Sequence, residues 1–286
     1  MTEPAWGPQA PGQDPVCPRH PDRVSYVRCQ RCERPTCPEC QRPAAVGFQC
    51  VDCVREGARG VREARTAFGA TLRRGRPVVT LTVIAICVAV YLLQATVAPG
   101  ITYDFGFAPV AAGAEPWRFL TAAFLHGGVI HIAFNMYALW LFGSYLERQF
   151  GRARFAALYL VSAFGGSVGT LLLASPDSRG WATISVGASG AVFGLFGALV
   201  LVQRKLNQQF GQVVVLIVIN GAIGFLVPGI AWQAHLGGLV TGLALGAVYA
   251  YAPQRTRTPV QVVGAVAVAV VLLVAAVARM AATGLL

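Results

Sequence analysis

Charge is scarce in this sequence. Only 12% of its 286 residues are Asp, Glu, Lys or Arg, and 55% are hydrophobic, whereas a soluble domain carries about 25% charged residues. Such a chain cannot cover a globular surface with polar groups, and it is too apolar to be disordered or collagen-like. Acids are rarest in the second half: no Asp or Glu lies between Ala188 and Pro253. Cysteine is nearly absent outside the N-terminal region. Seven of the eight Cys fall between Cys17 and Cys53, leaving Cys87 alone in an apolar run, which excludes a disulfide scaffold for the whole chain. What remains is a polytopic membrane protein with a small polar head. The net charge of +11 points to membrane orientation rather than nucleic acid, because the basic residues flank apolar runs.

Seven apolar runs read as spans: approximately Val78–Ala98, Phe119–Leu146, Phe155–Ala174, Ala188–Val202, Val213–Val227, Trp232–Ala252 and Val260–Ala278. The first follows a polar Cys-rich stretch and starts too late for a cleavable signal peptide. Arg55, Arg59, Arg62, Arg65, Arg73, Arg74 and Arg76 precede it, as an orienting, lipid-facing linker would. Alternate loops carry Arg148, Arg152 and Arg154, then Arg204 and Lys205, then Arg255 and Arg257. The opposite side holds only Arg118, Arg179 and Arg279, a ratio of fourteen to three. The positive-inside rule therefore predicts a cytoplasmic N-terminus and an external C-terminus, and the expected location is the plasma membrane. The 20 residues from Pro99 to Arg118, with Tyr103, Phe105, Phe107, Pro109 and Trp117, read as a loop at headgroup level.

The fourth run is short. Ala188–Val202 is 15 residues, roughly 22 Å of helix against a hydrocarbon core of about 30 Å. Gln203-Arg204-Lys205 pins its cytoplasmic end, so Gly187-Ala188-Ser189-Gly190 begins below the outer surface. Irregular backbone at that depth survives only inside protein or beside a water-filled cavity.

Intramembrane polar residues are costly and so become functional candidates: His126, His131, Asn135, Ser189 and His235. Taken singly, each has a packing explanation, as a helix-to-helix hydrogen bonder or a small interface residue. Gly190-x3-Gly194 and Gly238-x3-Gly242-x3-Gly246 read as packing faces that let the fourth and sixth spans approach closely. Such an approach would bring a Ser189 nucleophile to a His235 base, a Ser–His dyad without the usual orienting acid. Phe193, one turn below Ser189, is placed to stack on His235. His131 and Asn135, at i and i+4, share a face with the donors an oxyanion requires, and the helix start adds backbone N–H groups.

Gly187-Ala188-Ser189-Gly190, His131-x3-Asn135, Ala234-His235-x2-Gly238, Trp117-Arg118 and Gly143-x3-Glu147-x3-Gly151 closely resemble the motifs of rhomboid intramembrane serine proteases. The resemblance covers about residues 100–252 and implies an all-α polytopic fold, a six-helix core followed by one further helix. It implies Ser189 as nucleophile, His235 as general base, and His131 with Asn135 as oxyanion donors. Trp117, Arg118 and Glu147 would hold the scaffold, Phe193 would fill an often aromatic position, and His126 would be structural or water-organising. The implied substrate is a membrane protein, cut within or near a transmembrane segment. Two rivals stand beside this reading. A non-catalytic rhomboid-fold protein that binds transmembrane helices would generally lack the Ser or the His. A transporter would need acids in its spans.

The head carries four ligand pairs with two residues between: Cys17/His20, Cys29/Cys32, Cys37/Cys40 and Cys50/Cys53. Eight ligands suffice for two structural, tetrahedral Zn²⁺ sites, and the regular pairs in a cytoplasmic segment argue against disulfides. The segment resembles a B-box-type zinc finger, which implies interleaved ligands: Cys17, His20, Cys37 and Cys40 on one ion, the remainder on the other. Sequential pairing fits the spacing nearly as well. The expected organisation is a disordered stretch at 1–14, a zinc-binding module at 15–55, a basic linker at 56–77, the core at 78–252 and a seventh span at 260–278. Catalysis would need no cofactor. The head would bind a cytoplasmic protein partner or a substrate tail rather than nucleic acid, because acids are interleaved among its arginines.

Overall fold

The computed structural model describes residues 14–59, 64–72, 75–98, 100–227 and 229–286. Of the expected features, residues 1–13 of the disordered stretch and Arg62, Arg73 and Arg74 of the linker lie outside the described residues. The chain divides into two compact units, Met1–Glu63 and Ala64–Leu286.

The first unit is built from ligand pairs rather than from an apolar core. Strand β1 (Val16–Cys17) pairs antiparallel with β2 (His20–Val24), setting Cys17 opposite His20. Strand β3 (Gln41–Pro43) pairs with β4 (Phe48–Cys50), setting Gln41 opposite Cys50. Helix α1 (Val51–Arg59) follows directly and carries Cys53 in its first turn. The buried clusters here consist of Cys17, Cys37 and Cys40, and of Cys29, Cys50 and Cys53. A unit this small needs cross-links to stand alone.

The second unit is a helical membrane domain. Its main helices are α2 (Val78–Thr96), α5 (Val129–Phe150), α6 (Arg152–Leu173), α7 (Ser189–Lys205), α8 (Gly211–Leu226), α9 (Trp232–Tyr251) and α10 (Arg257–Ala282), with short α3 (Ile101–Phe105) and α4 (Arg118–Thr121) between the first two. Five of these, α2, α5, α6, α9 and α10, are long and apolar enough to cross a membrane. The protein is thus multi-pass. Helices α7 and α8, at 17 and 16 residues, reach only about 25 Å.

One span starts later than its hydropathy predicts. The apolar run from Phe119 reads as the head of the second span, but residues 118–124 form short helical pieces and the long helix begins at Val129. Phe119, Ala122 and Ala123 are apolar because they face protein. Phe119 and Ala122 join Phe107, Val168, Leu171, Trp181 and Met280 in a second buried cluster. The Pro99–Arg118 loop is likewise divided: Tyr103 and Trp117 are exposed, whereas Phe107 is buried at 1%. Helix α5 also contains a π-helical turn at Leu139–Gly143, which separates His131 and Asn135 from Glu147.

The centre is a three-helix contact made by glycine. A Cβ on Gly238 or Gly242 would collide with the carbonyls of Gly190 and Gly194, and one on Gly246 would stand 2.8 Å from Ala198 Cα. Both expected packing faces therefore meet backbone to backbone. Helix α6 joins through Gly166, which is 3.2 Å at its Cβ position from Gly190 Cα, and through Gly169, 2.7 Å from Gly237 Cα.

Two polar contacts hold the ends of this bundle. Glu147 is buried and accepts from Val79 N–H at 3.0 Å and from the Thr80 N–H and hydroxyl at 2.8 Å each, closing the first turn of α2. Arg279 donates to Leu171 O at 3.4 Å and Ala174 O at 3.0 Å, which satisfies carbonyls at the C-terminal end of α6.

Candidate active site and metal centre

A cavity of about 1230 Å³ opens into the membrane unit, and Ser189, His235, His131 and Asn135 all line it. Ser189 is the first residue of α7. The helical ladder starts with Val192 N–H on Ala188 O at 3.0 Å, so the N–H groups of Ser189, Gly190 and Ala191 precede it and are available as first-turn donors. The segment entering this helix is held by the Pro99–Arg118 loop: Phe107 and Ser185 exchange backbone hydrogen bonds at 2.9 and 2.7 Å. That loop is fastened in turn by Arg118, which bonds Glu115, Tyr103 O and Gly106 O, and by Trp117 Nε1, which donates to Asp104 O at 3.3 Å.

Gly187 makes the final approach, with φ +131 and its N–H on Ala122 O at 2.9 Å. A side chain there would be strained, and it would also fill the site. Its Cβ position is 2.7 Å from His131 Cε1, 2.8 Å from His131 Nε2 and 3.7 Å from Ser189 Oγ. The imidazole and the hydroxyl therefore front the same small space. Gly127 N–H donates to His131 Nδ1 at 3.3 Å, so the neutral ring carries its proton on Nε2, the nitrogen that faces this space. Asn135 is buried and gives one amide N–H to His131 O at 2.9 Å, leaving its second for a ligand.

His235 lies in the first turn of α9 and stacks on Phe193, with centroids 4.2 Å apart and planes 9° apart. Its Nδ1 is buried against Gly224 of α8, 2.8 Å from that residue's Cβ position, and has no hydrogen-bond partner among the described residues. Nε2 is the nitrogen further from Gly224. No hydrogen bond joins Ser189 to His235 among the described residues. His126 is buried at 2%, its ring 5.3 Å from that of His131. Gln94 clamps the His126 backbone, accepting from its N–H at 3.0 Å and donating to its carbonyl at 3.4 Å. Gly190 and Phe193 line the cavity, whereas Trp117, Arg118 and Glu147 act on the frame around it.

Sequence reasoning passed over Ser167, Thr170 and Asn220, which also line the cavity. Asn220 had a signal: it is an amide following the apolar run Val213–Ile219 of α8, and it donates to Leu216 O at 2.8 Å. Ser167 and Thr170 bond to Phe119 O and Gly166 O at 2.9 and 3.1 Å and resemble ordinary small packing residues in sequence.

The head brings its eight ligand residues together as two interleaved sets, Cys17, His20, Cys37, Cys40 and Cys29, Cys32, Cys50, Cys53. Within each set all donor atoms lie within 4.8 Å of one another. His20 Nδ1 is 3.3 and 3.4 Å from the Cys37 and Cys40 sulfurs, and Cys32 and Cys50 sulfurs are 3.7 Å apart. Tetrahedral metal–sulfur bonds of about 2.3 Å separate sulfurs by about 3.8 Å, so the donor sets fit such an ion. Backbone N–H groups already solvate the sulfurs: Cys50 N–H reaches Cys29 Sγ at 3.2 Å and Arg31 N–H at 3.4 Å. Burial alone would raise the Cys29 thiol, but these donors outweigh it and bring the group down to about 6, which favours the thiolate a metal needs. His20 Nε2 lies 3.7 Å from Glu39, a carboxylate placed to orient the ring for ligation through Nδ1, the nitrogen that faces the Cys37 and Cys40 sulfurs. The two clusters can hold metal ions.

The family model for the Rhomboid domain matches residues 113–252. The chain is 41% identical over 153 residues to the Arabidopsis thaliana protein named RHOMBOID-like protein 6, mitochondrial, covering 51% of this chain and 47% of that one. It is 34% identical over 195 residues to Rhomboid protease GluP of Bacillus subtilis (strain 168), covering 63% and 36%. To a second Bacillus subtilis rhomboid, YdcA, it is 36% identical over 139 residues, covering 47% of this chain and 67% of that one. The chain thus spans about half or less of the length of the first two relatives. The matched region contains every cavity residue that fronts Ser189, and by that match this chain belongs to the rhomboid family.

Proposed function

We propose that the protein is an intramembrane serine endopeptidase acting through a Ser189–His235 dyad. One observation carries the reading: the space at the bare Cα of Gly187 is bounded by the imidazole of His131 and the hydroxyl of Ser189. A scissile carbonyl seated there has a nucleophile on one side and an N–H donor on the other. Ser189 Oγ attacks the carbonyl carbon while His235 Nε2 takes the hydroxyl proton. The oxyanion is held by His131 Nε2–H, the second Asn135 amide N–H and the Ser189 backbone N–H. His235 returns its proton to the leaving amine, and water then hydrolyses the acyl-enzyme by the same relay. The substrate is a membrane protein whose helix unwinds into the cavity, because a peptide bond inside an intact helix is shielded.

The clustered arginines support a cytoplasmic N-terminus in a cell membrane. The metal in the head is Zn²⁺, two ions per chain, with a structural role, since all eight ligands are used. The head serves to bind a cytoplasmic protein or substrate tail.

The test is labelling of the purified protein by a fluorescent fluorophosphonate, alongside Ser189→Ala and His235→Ala. Labelling of the wild type that disappears in both variants is the expected result. A folded wild type that neither labels nor cuts a transmembrane substrate overturns the reading in favour of a non-catalytic helix-binding rhomboid.

A further inference from the structure

At one end of the membrane unit, basic residues converge more than orientation requires. Residues 64–72 fold into a tight turn, with Thr66 N–H on Ala70 O at 2.8 Å and Gly69 N–H on Thr66 O at 3.0 Å. Phe68 is buried against Phe150, ring centroids 5.4 Å apart. Gln261 of α10 ties the turn to α9, donating to Phe68 O at 3.3 Å and to Tyr249 O at 2.9 Å. Three segments remote in sequence meet here, and each brings an arginine: Arg65 from the turn, Arg154 from the start of α6 and Arg257 from the start of α10.

The contacts bring these side chains into one neighbourhood. Arg257 lies across Gly69, its Cδ 2.8 Å and its Nη1 3.4 Å from that residue's Cβ position. Arg154 Nη1 donates to Phe150 O at 3.0 Å, the carbonyl of the residue whose ring packs on Phe68 of the turn that carries Arg65. Arg154 and Arg257 are half-buried. None of the three has a carboxylate partner among the described residues.

A positive-inside signal needs charge on one side of the membrane. It does not need three segments remote in sequence each to bring an arginine to one turn, with no carboxylate paired to any of them among the described residues. That arrangement costs free energy, which a shared anion offsets. Guanidinium groups match phosphate oxygens through paired N–H donors. The cluster also sits where α6 and α10 pass from polar to apolar sequence, at headgroup depth. We propose that Arg65, Arg154 and Arg257 form a binding site for a phosphate group, of the kind carried by the headgroup of an anionic phospholipid.

The test is native mass spectrometry of the full-length protein in detergent, titrated with phosphatidylglycerol or phosphatidylcholine. The wild type is expected to retain phosphatidylglycerol at least tenfold more tightly than the Arg65→Gln/Arg257→Gln variant. Arg148→Gln/Arg204→Gln removes the same charge from exposed positions elsewhere at this end and should retain wild-type affinity. Arg65→Gln alone, at an exposed side chain, should lose about threefold and serves if the double variant is unstable. Release of the lipid by millimolar inorganic phosphate would make the natural ligand a soluble phosphate. Its retention would make it the lipid. Equal affinity in the cluster and control variants, or no preference over phosphatidylcholine, would overturn the site.

Discussion

The imidazole of His235 and the phenyl ring of Phe193 lie face to face, centroids 4.2 Å apart and planes within 9°. Phe193 is 5% exposed and is braced by Phe196, with centroids 5.6 Å apart. The imidazole thus has one fixed ring against its face, while its Nδ1 edge meets Gly224. With no carboxylate bonded to it among the described residues, the histidine is positioned by contact. Phe193→Ala removes a stack worth about 0.5–1.5 kcal/mol and lets the ring tilt. Turnover of a transmembrane substrate should fall about tenfold, on the order of 1.4 kcal/mol, with kcat affected more than KM. Phe193→Tyr should recover most of it. A loss of folded protein as large as the loss of turnover would reduce Phe193 to a packing residue.

Glu147 serves the frame rather than the chemistry. Its carboxylate accepts three hydrogen bonds from Val79 and Thr80 in a position that is 4% exposed. Glu147→Gln turns one acceptor oxygen into a donor facing other donors, at a cost of about 1–3 kcal/mol. Thermal unfolding in detergent should show a lowered Tm. Thr80→Val removes one donor and should cost less. The two changes together should be less than additive, because they disrupt one network. Full additivity would mean that the carboxylate is anchored elsewhere.

The features legible in the sequence were those set by local pattern. Ligand pairs two residues apart, a hydroxyl at the start of a short span and a His–Asn pair at i, i+4 each carry their geometry within a few residues. What depended on tertiary context was not legible. Phe119, at the head of the second apolar run, packs on Phe107 and Phe164, and hydropathy cannot tell a protein neighbour from lipid. The stretch around Phe68 sits among arginines and reads as linker, yet the Thr66 hydroxyl ties it to the membrane unit by donating to Gln149 O at 2.7 Å. Gly165, Gly166 and Gly169 drew no notice because a glycine's partner is named only by the helix that approaches it.

That approach separates two otherwise similar glycines. Gly238 of α9 faces the Gly190 carbonyl with no room for a methyl group, whereas Gly221 of α8 has nothing within 4 Å of its Cβ position. Gly238→Ala forces α7 and α9 apart, and overpacking of this kind costs about 1–3 kcal/mol or more. It should lower Tm and abolish fluorophosphonate labelling together, since Ser189 and His235 stand at the ends of these helices. Gly221→Ala should leave labelling intact and raise Tm slightly, by the roughly 0.4–1 kcal/mol that alanine gains over glycine in a helix. Equal tolerance at both positions would mean that the helices do not touch as closely as the geometry has them.

The metal centre offers a test of topology in which two pairing schemes predict opposite results. Cys17 and Cys37 belong to one cluster, whereas Cys17 and Cys29 belong to different clusters. Cys17→Ser/Cys37→Ser leaves the second cluster with all four ligands, so about one tightly held zinc per chain should survive competition by a chelator. Cys17→Ser/Cys29→Ser leaves neither cluster complete and should retain none tightly. Sequential pairing would reverse the two outcomes, because Cys17 and Cys29 would then share an ion. The head's buried groups are mostly the ligands themselves, so loss of both ions should unfold it. The glycine-packed membrane unit does not draw on those ligands. Cleavage of a minimal transmembrane substrate should therefore persist in both variants, and its loss in a still-folded membrane unit would make the head part of the catalytic machinery.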